Sequence, residues 1–152
     1  MGRSSPRERS NPEIVSTRLF DAPRELLFAA FTDAATLSKW WGPKGFANTF
    51  EEFDPRPGGS WRFVMRDPGG AAFAIEKRFV EVVPHERIVL DHLDADHGFR
   101  MLMTFIDEAG RTRLTWRMRF ERAEEAERVR SAVVDANEQN FDRLEAALQR
   151  RD

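Results

Sequence analysis

Residues 111–151, RTRLTWRMRFERAEEAERVRSAVVDANEQNFDRLEAALQRR, contain the strongest secondary-structure signals in the chain. Every second residue from Leu114 to Phe120 is apolar and the residues between them are polar, which is typical of a strand with one buried face. Residues 124–151 contain no glycine or proline, begin with acidic side chains and end in two arginines, as the helix dipole favours. We therefore predict a strand over residues 111–120, followed by a helix about 40 Å long.

Short apolar runs, separated by turn-forming clusters of Asp, Pro and Gly, precede this strand and predict an antiparallel meander. Upstream of the meander we predict a first strand, Glu13–Phe20, and two short helices over residues 24–31 and 33–37. The side chains of Asp21 and Asp33 are expected to cap these helices. The predicted meander begins after Phe46 and includes strands over residues 61–66, 72–83, 87–93, 99–106 and 111–120.

The order of one strand, two short helices, six strands and one long helix places the chain in the α+β class. We predict a curved antiparallel sheet of six to seven strands, wrapped around the long C-terminal helix, with the two short helices after the first strand. Such packing often leaves a cavity between helix and sheet. Residues 13–150 are expected to form this single domain, behind a flexible tail of residues 1–12.

The composition excludes several classes of function. The 152 residues include 24 basic and 26 acidic side chains, a formal net charge of −2, which argues against a dedicated nucleic-acid binder. No run approaches the roughly 20 apolar residues of a membrane span, and the polar start MGRSSPRERSNP does not resemble a secretory signal. Zero cysteines leave no disulfide, thiol nucleophile or thiolate metal site, so a cytoplasmic location is expected.

The aromatic content predicts either a packed core or the wall of an apolar pocket. The chain has 13 Phe and 4 Trp but no Tyr, so a buried site has no phenol to donate a proton. Aromatic residues and methionines at strand spacing usually form core, yet facing a helix with several alanines they also fit an incompletely filled pocket. The predicted wall consists of Trp61, Phe63, Met65, Met101, Met103, Trp116 and Met118.

Two polar residues within the apolar stripe of the long helix are candidates for ligand contact. On a helical wheel Asn137 and Asn140 fall inside the stripe, and Phe141 lies at its edge. Since an unpartnered buried amide costs about 1–3 kcal/mol, each must bind a strand backbone, a buried water or a ligand. Trp40 and Trp41 either close the mouth of the pocket or fasten the second short helix to the sheet.

His92 and Glu76 are the candidates for catalysis. If the preceding apolar residues of its strand face inward, His92 follows them by strand periodicity, and Glu76 or Lys77 completes an acid–base pair. The alternative is a histidine near solvent at the end of a strand. The segment from Asp91 to His97 carries two His and three Asp, but these suit a hairpin turn, so we expect no metal and no cofactor.

Five motifs in a fixed order carry a family resemblance. They are FDAPREL at 20–26, WWGP at 40–43, FDPRPGGSW at 53–61, EVVPHERIV at 81–89 and TRLT at 112–115. Together they resemble the START-like (SRPBCC) superfamily, and more closely the bacterial homologues of the C-terminal domain of the activator of heat-shock protein 90 ATPase. The resemblance implies a helix-grip fold, commonly with an apolar ligand cavity, and it implies no shared catalytic residues.

We expect a non-enzymatic domain that binds a small apolar or amphipathic ligand between the sheet and the C-terminal helix. An enzyme is an alternative, because START-like relatives include cyclases and aromatases; it would use His92 with Glu76 or Lys77. A third hypothesis is an interaction module of co-chaperone type, which would use the outer surface of the sheet. The outward apolar residues Leu102 and Ile106 also offer a contact for a homodimer.

Overall fold

Seven β-strands and three α-helices follow one another in the predicted order within residues 12–149, the part of the chain that this computed structural model describes. The predictions for residues 1–11, 150 and 151 lie outside that range. The elements are β1 (Glu13–Phe20), α1 (Arg24–Thr32), α2 (Ala34–Trp40), β2 (Ala47–Phe53), β3 (Ser60–Arg66), β4 (Ala72–Val83), β5 (Arg87–His92), β6 (Phe99–Glu108), β7 (Arg111–Phe120) and α3 (Ala123–Gln149).

The seven strands form one antiparallel sheet with the order β1-β7-β6-β5-β4-β3-β2. Strands β2 to β7 pair as a meander, and β1 joins the far edge by pairing with β7. The pairing shifts register between Phe50 and Glu52 on β2, and between Phe79 and Glu81 on β4. Such bulges bend a strand and increase its twist, which lets the sheet curve around α3. The predicted curved sheet with a long C-terminal helix is confirmed.

The two faces of the sheet differ in polarity, as the alternation along β7 predicts. All four inward apolar side chains of this strand are buried. On the outer face Arg113 pairs with Glu108 at 2.8 Å, and Arg117 pairs with Glu13 at 3.4 Å. Exposed pairs of this kind contribute little to stability, so the outer arginines keep that face solvated.

The central contact of α3 is Phe141, which is 0% exposed. Its ring packs against Phe20 and Trp116, with centroid separations of 5.8 and 5.5 Å. The sequence places Phe141 at the edge of the apolar stripe, whereas the structure buries it fully against the sheet. Beside this contact Arg18 of β1 forms an ion pair with Glu138 of α3 at 2.7 Å. Across residues 12–149 no helix is long and apolar enough to cross a membrane.

The two short helices begin differently from one another. Asp33 caps α2 as predicted, because its carboxylate accepts the Thr36 backbone N–H at 3.0 Å. The cap predicted for Asp21 is wrong: the N-cap residue of α1 is Pro23, and no side-chain hydrogen bond caps this helix. The fixed backbone angle of proline suits a helix start without such a bond.

Candidate functional site

A cavity of about 200 Å³ lies between the inner face of the sheet and α3. Its helix side consists of Ala136, Asn137 and Asn140, together with residues 41–43 of the loop that follows α2. Two titratable side chains, Lys77 and His92, also line it. The apolar residues that the strands contribute are Met65, Ile75, Phe99, Met101, Trp116 and Met118.

Seven of the predicted ligand-binding residues line this cavity: Trp41, Met65, Met101, Trp116, Met118, Asn137 and Asn140. The other five, Trp40, Trp61, Phe63, Met103 and Phe141, are at most 1% exposed and lie in the surrounding core rather than in the lining of this cavity. Core packing explains their position. Trp61 stacks on Phe63 with ring centres 4.7 Å apart, and the Trp40 indole N–H donates to the Ala30 carbonyl at 3.0 Å.

Asn137 and Asn140 are buried on the helix side of the cavity and bind protein atoms. The Asn140 Oδ1 atom accepts a hydrogen bond from the Gly42 backbone N–H at 3.0 Å. The Asn137 Nδ2 group donates to Ser16 Oγ at 3.1 Å and lies 3.7 Å from Met118 Sδ. Asn140 therefore fastens α3 to the loop after α2, and Asn137 fastens it to β1.

The loop after α2 is held against α3 by a second side chain, Arg143. Its guanidinium donates to the carbonyls of Lys39 and of residues 41–43 at 2.9–3.2 Å. These bonds set the Trp41 ring against the cavity, where it stacks on Trp116 with ring centres 5.3 Å apart. Trp41 thus forms part of the wall of the cavity, whereas Trp40 fastens α2 to the core.

Lys77 is a cation with almost no access to solvent, since the residue is only 4% exposed. Its Nζ atom lies 3.2 Å from His92 Nδ1, and 5.2 and 5.8 Å from the ring centres of Phe99 and Trp41. Within the described range it forms no ion pair with a carboxylate. Burial lowers the pKa of Lys77 from 10.5 to about 7, because the charged form loses its hydration.

His92 stacks on Phe99 with ring centres 4.7 Å apart. Burial, and next the charge of Lys77, lower the pKa of His92 from 6.5 to about 4. The imidazole is therefore neutral at pH 7, where its Nδ1 atom can accept a hydrogen bond from the Lys77 ammonium. His92 and Phe99 also line a depression of about 530 Å³ on the outside of the molecule. The stacked pair thus separates the cavity from that depression.

Trp116 carries a buried indole N–H without a hydrogen-bond partner among residues 12–149. The residue is 1% exposed and its side chain lines the cavity. The Trp61 indole N–H in the core lacks a partner in the same range, so an unpartnered indole here does not by itself indicate a ligand. The polar group that can orient a bound molecule in this mostly apolar cavity is Lys77.

Glu76, predicted with His92 as a candidate pair, lies outside the lining of the cavity. Glu76 is exposed on the outer face of β4, because successive residues of a strand point to opposite faces. Lys77 takes the inner position instead and meets His92 there. The signal for this was present in the sequence, since Ile75 and Phe79 flank Lys77 at two-residue spacing.

The segment from Asp91 to His97 forms a turn rather than a cluster of metal ligands. The Asp94 Oδ1 atom accepts the backbone N–H groups of Asp96 and His97, both at 2.9 Å. The His97 Nδ1 atom lies 2.6 Å from Glu125 Oε2. In the part of the chain that the structure covers, no three His, Cys, Asp or Glu side chains are placed to hold a metal ion.

These observations define a class of protein: a helix-grip domain in which a seven-stranded sheet and a C-terminal helix flank a small cavity. Residues 21–149 match the family described as Activator of Hsp90 ATPase homolog 1-like protein. The chain belongs to this family, and the resemblance inferred from its motifs is confirmed. No curated protein matches the chain in sequence.

Solved structures from several bacteria share the fold. A protein of Rhodobacter sphaeroides is 25% identical with a TM-score of 0.82, and the match covers 91% of this chain and 92% of that one. A protein of Arthrobacter aurescens is 20% identical with a TM-score of 0.85, covering 92% and 87%. A protein of Nitrosomonas europaea is 20% identical with a TM-score of 0.82, covering 90% and 94%. These likenesses establish the fold.

Proposed function

We propose that this protein binds a small apolar or amphipathic molecule in the cavity between the sheet and α3. The supporting observation is that the side chains of sheet and helix leave about 200 Å³ open where they meet. Sites for small molecules are concave and mostly apolar, with a few polar groups that fix the ligand's orientation. The methionine and aromatic wall, with Lys77 and His92 as titratable polar groups, has this composition.

The volume limits the size of the ligand. An engineered apolar cavity of about 150 Å³ accommodates benzene, so the cavity suits a molecule with one ring or a short chain. The stacked rings of Trp41 and Trp116 offer a flat surface for a ring. Met65, Met101 and Met118 have flexible side chains that can shift to admit a somewhat larger molecule.

Native mass spectrometry of freshly purified protein, under gentle and denaturing spray, tests this proposal. Under gentle spray we expect the protein to carry the additional mass of a bound molecule, and under denaturing spray we expect that mass to be absent. Ala136→Leu places extra atoms in the cavity and should abolish that mass, whereas Ala132→Leu, on the exposed side of the same helix, should retain it. The proposal is wrong if the wild-type protein shows no additional mass and its tryptophan fluorescence does not respond to octanol.

A second candidate function is protein interaction through the outer face of the sheet. Val15 and Ile106 are 44% and 53% exposed there. Arg117 of β7 pairs with Val15 of β1 on one side and with Leu102 of β6 on the other. Apolar and cationic side chains therefore alternate from strand to strand across this face. Such a surface suits a second copy of the chain or a chaperone, the partner that the family's description suggests.

Sedimentation velocity tests this second candidate. The wild-type protein, alone or with a purified chaperone of the Hsp90 class, should sediment as a larger species than the monomer. Ile106→Glu should sediment as a monomer in both cases, because a charge at the centre of an interface opposes association. Monomeric sedimentation of the wild-type protein in both experiments would exclude the surface as an interface with these partners.

A further inference from the structure

Lys77 brings unused hydrogen-bond donors to the wall of the cavity. A lysine ammonium has three donors, and within residues 12–149 the Lys77 Nζ atom has one polar partner, His92 Nδ1 at 3.2 Å. The Asn140 Oδ1 atom, an acceptor in the wall, is already bound to the Gly42 N–H. Among the described residues, Lys77 therefore keeps donors that no acceptor uses.

The positive charge of Lys77 also lacks a negative partner in the wall. His92 is the other titratable residue that lines the cavity, and it is neutral at pH 7. The acidic residues of the neighbouring segment are engaged elsewhere: Asp91 binds Arg100 at 2.7 Å, and Asp94 caps its own turn. A buried charge without a counter-charge is costly, so a bound anion would be favoured at this position.

We propose that the ligand is a small apolar carboxylic acid, whose carboxylate pairs with Lys77. This inference rests on the proposed function and specifies the chemical class of the ligand. A carboxylate supplies the negative charge that the wall lacks, and its two oxygens can accept the unused Lys77 donors. The apolar body of the acid lies against the methionine and aromatic side chains.

Binding of the acid is coupled to proton uptake. Burial lowers the pKa of Lys77 to about 7, so the amine is mostly neutral at about pH 8 in the free protein. A carboxylate beside it favours the ammonium form, so the complex takes up a proton at that pH. His92, whose pKa is about 4, contributes no uptake there. Below about pH 6 Lys77 is already charged and the uptake disappears.

The experiment compares phenylacetate with phenylacetamide, which has nearly the same shape but no charge. Calorimetric titrations at about pH 8, in two buffers of different ionisation enthalpy, measure affinity and proton uptake together. We expect the acid to bind about tenfold more tightly than the amide. We also expect the Trp116 indole N–H signal in ¹⁵N NMR spectra to shift on addition of the acid.

Three variants separate the roles of the side chains. Lys77→Met keeps the length of the side chain and should abolish both the preference for the acid and the proton uptake. Trp116→Phe alters the aromatic wall and leaves the cation in place, so it should change the affinities for the acid and the amide alike. Arg78→Met removes the same charge from the exposed outer face and should leave both affinities unchanged.

The outcomes distinguish this inference from the proposed function. The inference is overturned if the protein binds the acid and the amide with equal affinity, or if Lys77→Met still prefers the acid. Either result leaves the proposed binding function intact. Octanoate and octanamide provide a second pair of different shape. If no member of either pair binds to the wild-type protein, the inference is wrong, and native mass spectrometry with the octanol titration decides the proposed function separately.

Discussion

Asn140 Oδ1 accepts the backbone N–H of Gly42 at 3.0 Å, and this bond joins the middle of α3 to the loop beside the cavity. Both residues are buried. Asn140 is separated from Gly42 by 98 positions, so nothing local in the sequence identifies the pair. The bond makes the side-chain oxygen of Asn140 a structural acceptor and fixes the loop that carries Trp41.

Asn140→Leu should lower the free energy of unfolding by about 1–3 kcal/mol, because the Gly42 N–H is then buried without an acceptor. Gln139→Leu is the matched control. The Gln139 Oε1 atom also accepts a backbone N–H, that of Lys44 at 3.0 Å, but near solvent, where water can replace it. Urea denaturation measures both losses, and an equal loss in the two variants contradicts the structural role of Asn140.

Gly42→Ala should destabilise the protein more than Gly58→Ala. Both glycines have positive φ, +102° and +85°, so both substitutions incur left-handed strain of about 1–2 kcal/mol. A Cβ atom at position 42 would lie 3.1 Å from Met65 Cε and 3.3 Å from Phe46 Cβ, whereas one at position 58 meets no atom within 4 Å. Because both variants carry the backbone strain, the difference between their unfolding free energies measures the steric contact of the new Cβ atom with Met65 and Phe46. Equal unfolding free energies would show that the loop shifts to relieve this contact.

Lys77→Met should stabilise the protein at pH 7 by about 1–4 kcal/mol, since it replaces a buried cation with an apolar side chain. The pKa of Lys77 is lower in the folded state, about 7, than its ordinary value of 10.5. Between these values the unfolded state binds more protons, so wild-type stability rises with pH. The advantage of the variant should therefore shrink toward pH 10. Arg78→Met should show neither effect, and a constant advantage over this range would contradict the lowered pKa.

His92 should give the wild-type protein a second pH-dependent contribution to stability. Its pKa is lowered from 6.5 to about 4, so the unfolded state binds more protons between these values and stability rises as the pH increases from 4 to 6.5. His92→Gln should flatten this part of the profile of unfolding free energy against pH. His97→Gln, at a side chain that is 60% exposed, should leave the contribution of His92 in place. Identical profiles for wild type and His92→Gln would contradict the prediction.

Local patterns were sufficient to predict the architecture. Alternation along residues 111–120, turn clusters of Asp, Pro and Gly, and an uninterrupted amphipathic segment each report on contacts between near neighbours. The order of these elements then leaves few ways to cover the apolar face of the sheet. The cap at Asp33 was predicted for the same reason, because its partner is only three positions away.

The lining of the cavity was predicted less well, because it depends on contacts between distant parts of the chain. Trp41 and Trp61 are both inward aromatic residues, and only the packing of three strands and a loop places one at the cavity and the other in the core. Periodicity can place Lys77 inward, but its lack of a carboxylate partner depends on which strands adjoin it. The full burial of Phe141 likewise depends on distant contacts, since its ring packs against Phe20 of β1 and Trp116 of β7.

The pairing of the first strand with the last has a consequence for the rate and order of folding. Arg117 of β7 binds Glu13 of β1 across 104 positions, so β1 stays unpaired until most of the chain is available. Topologies dominated by such distant contacts fold on the order of milliseconds to seconds. During synthesis β1 has no partner strand, and its pairing with β7 later covers one of its two edges. Since Trp116 and α3 arrive with the final third of the chain, the cavity is assembled in the last stage of folding.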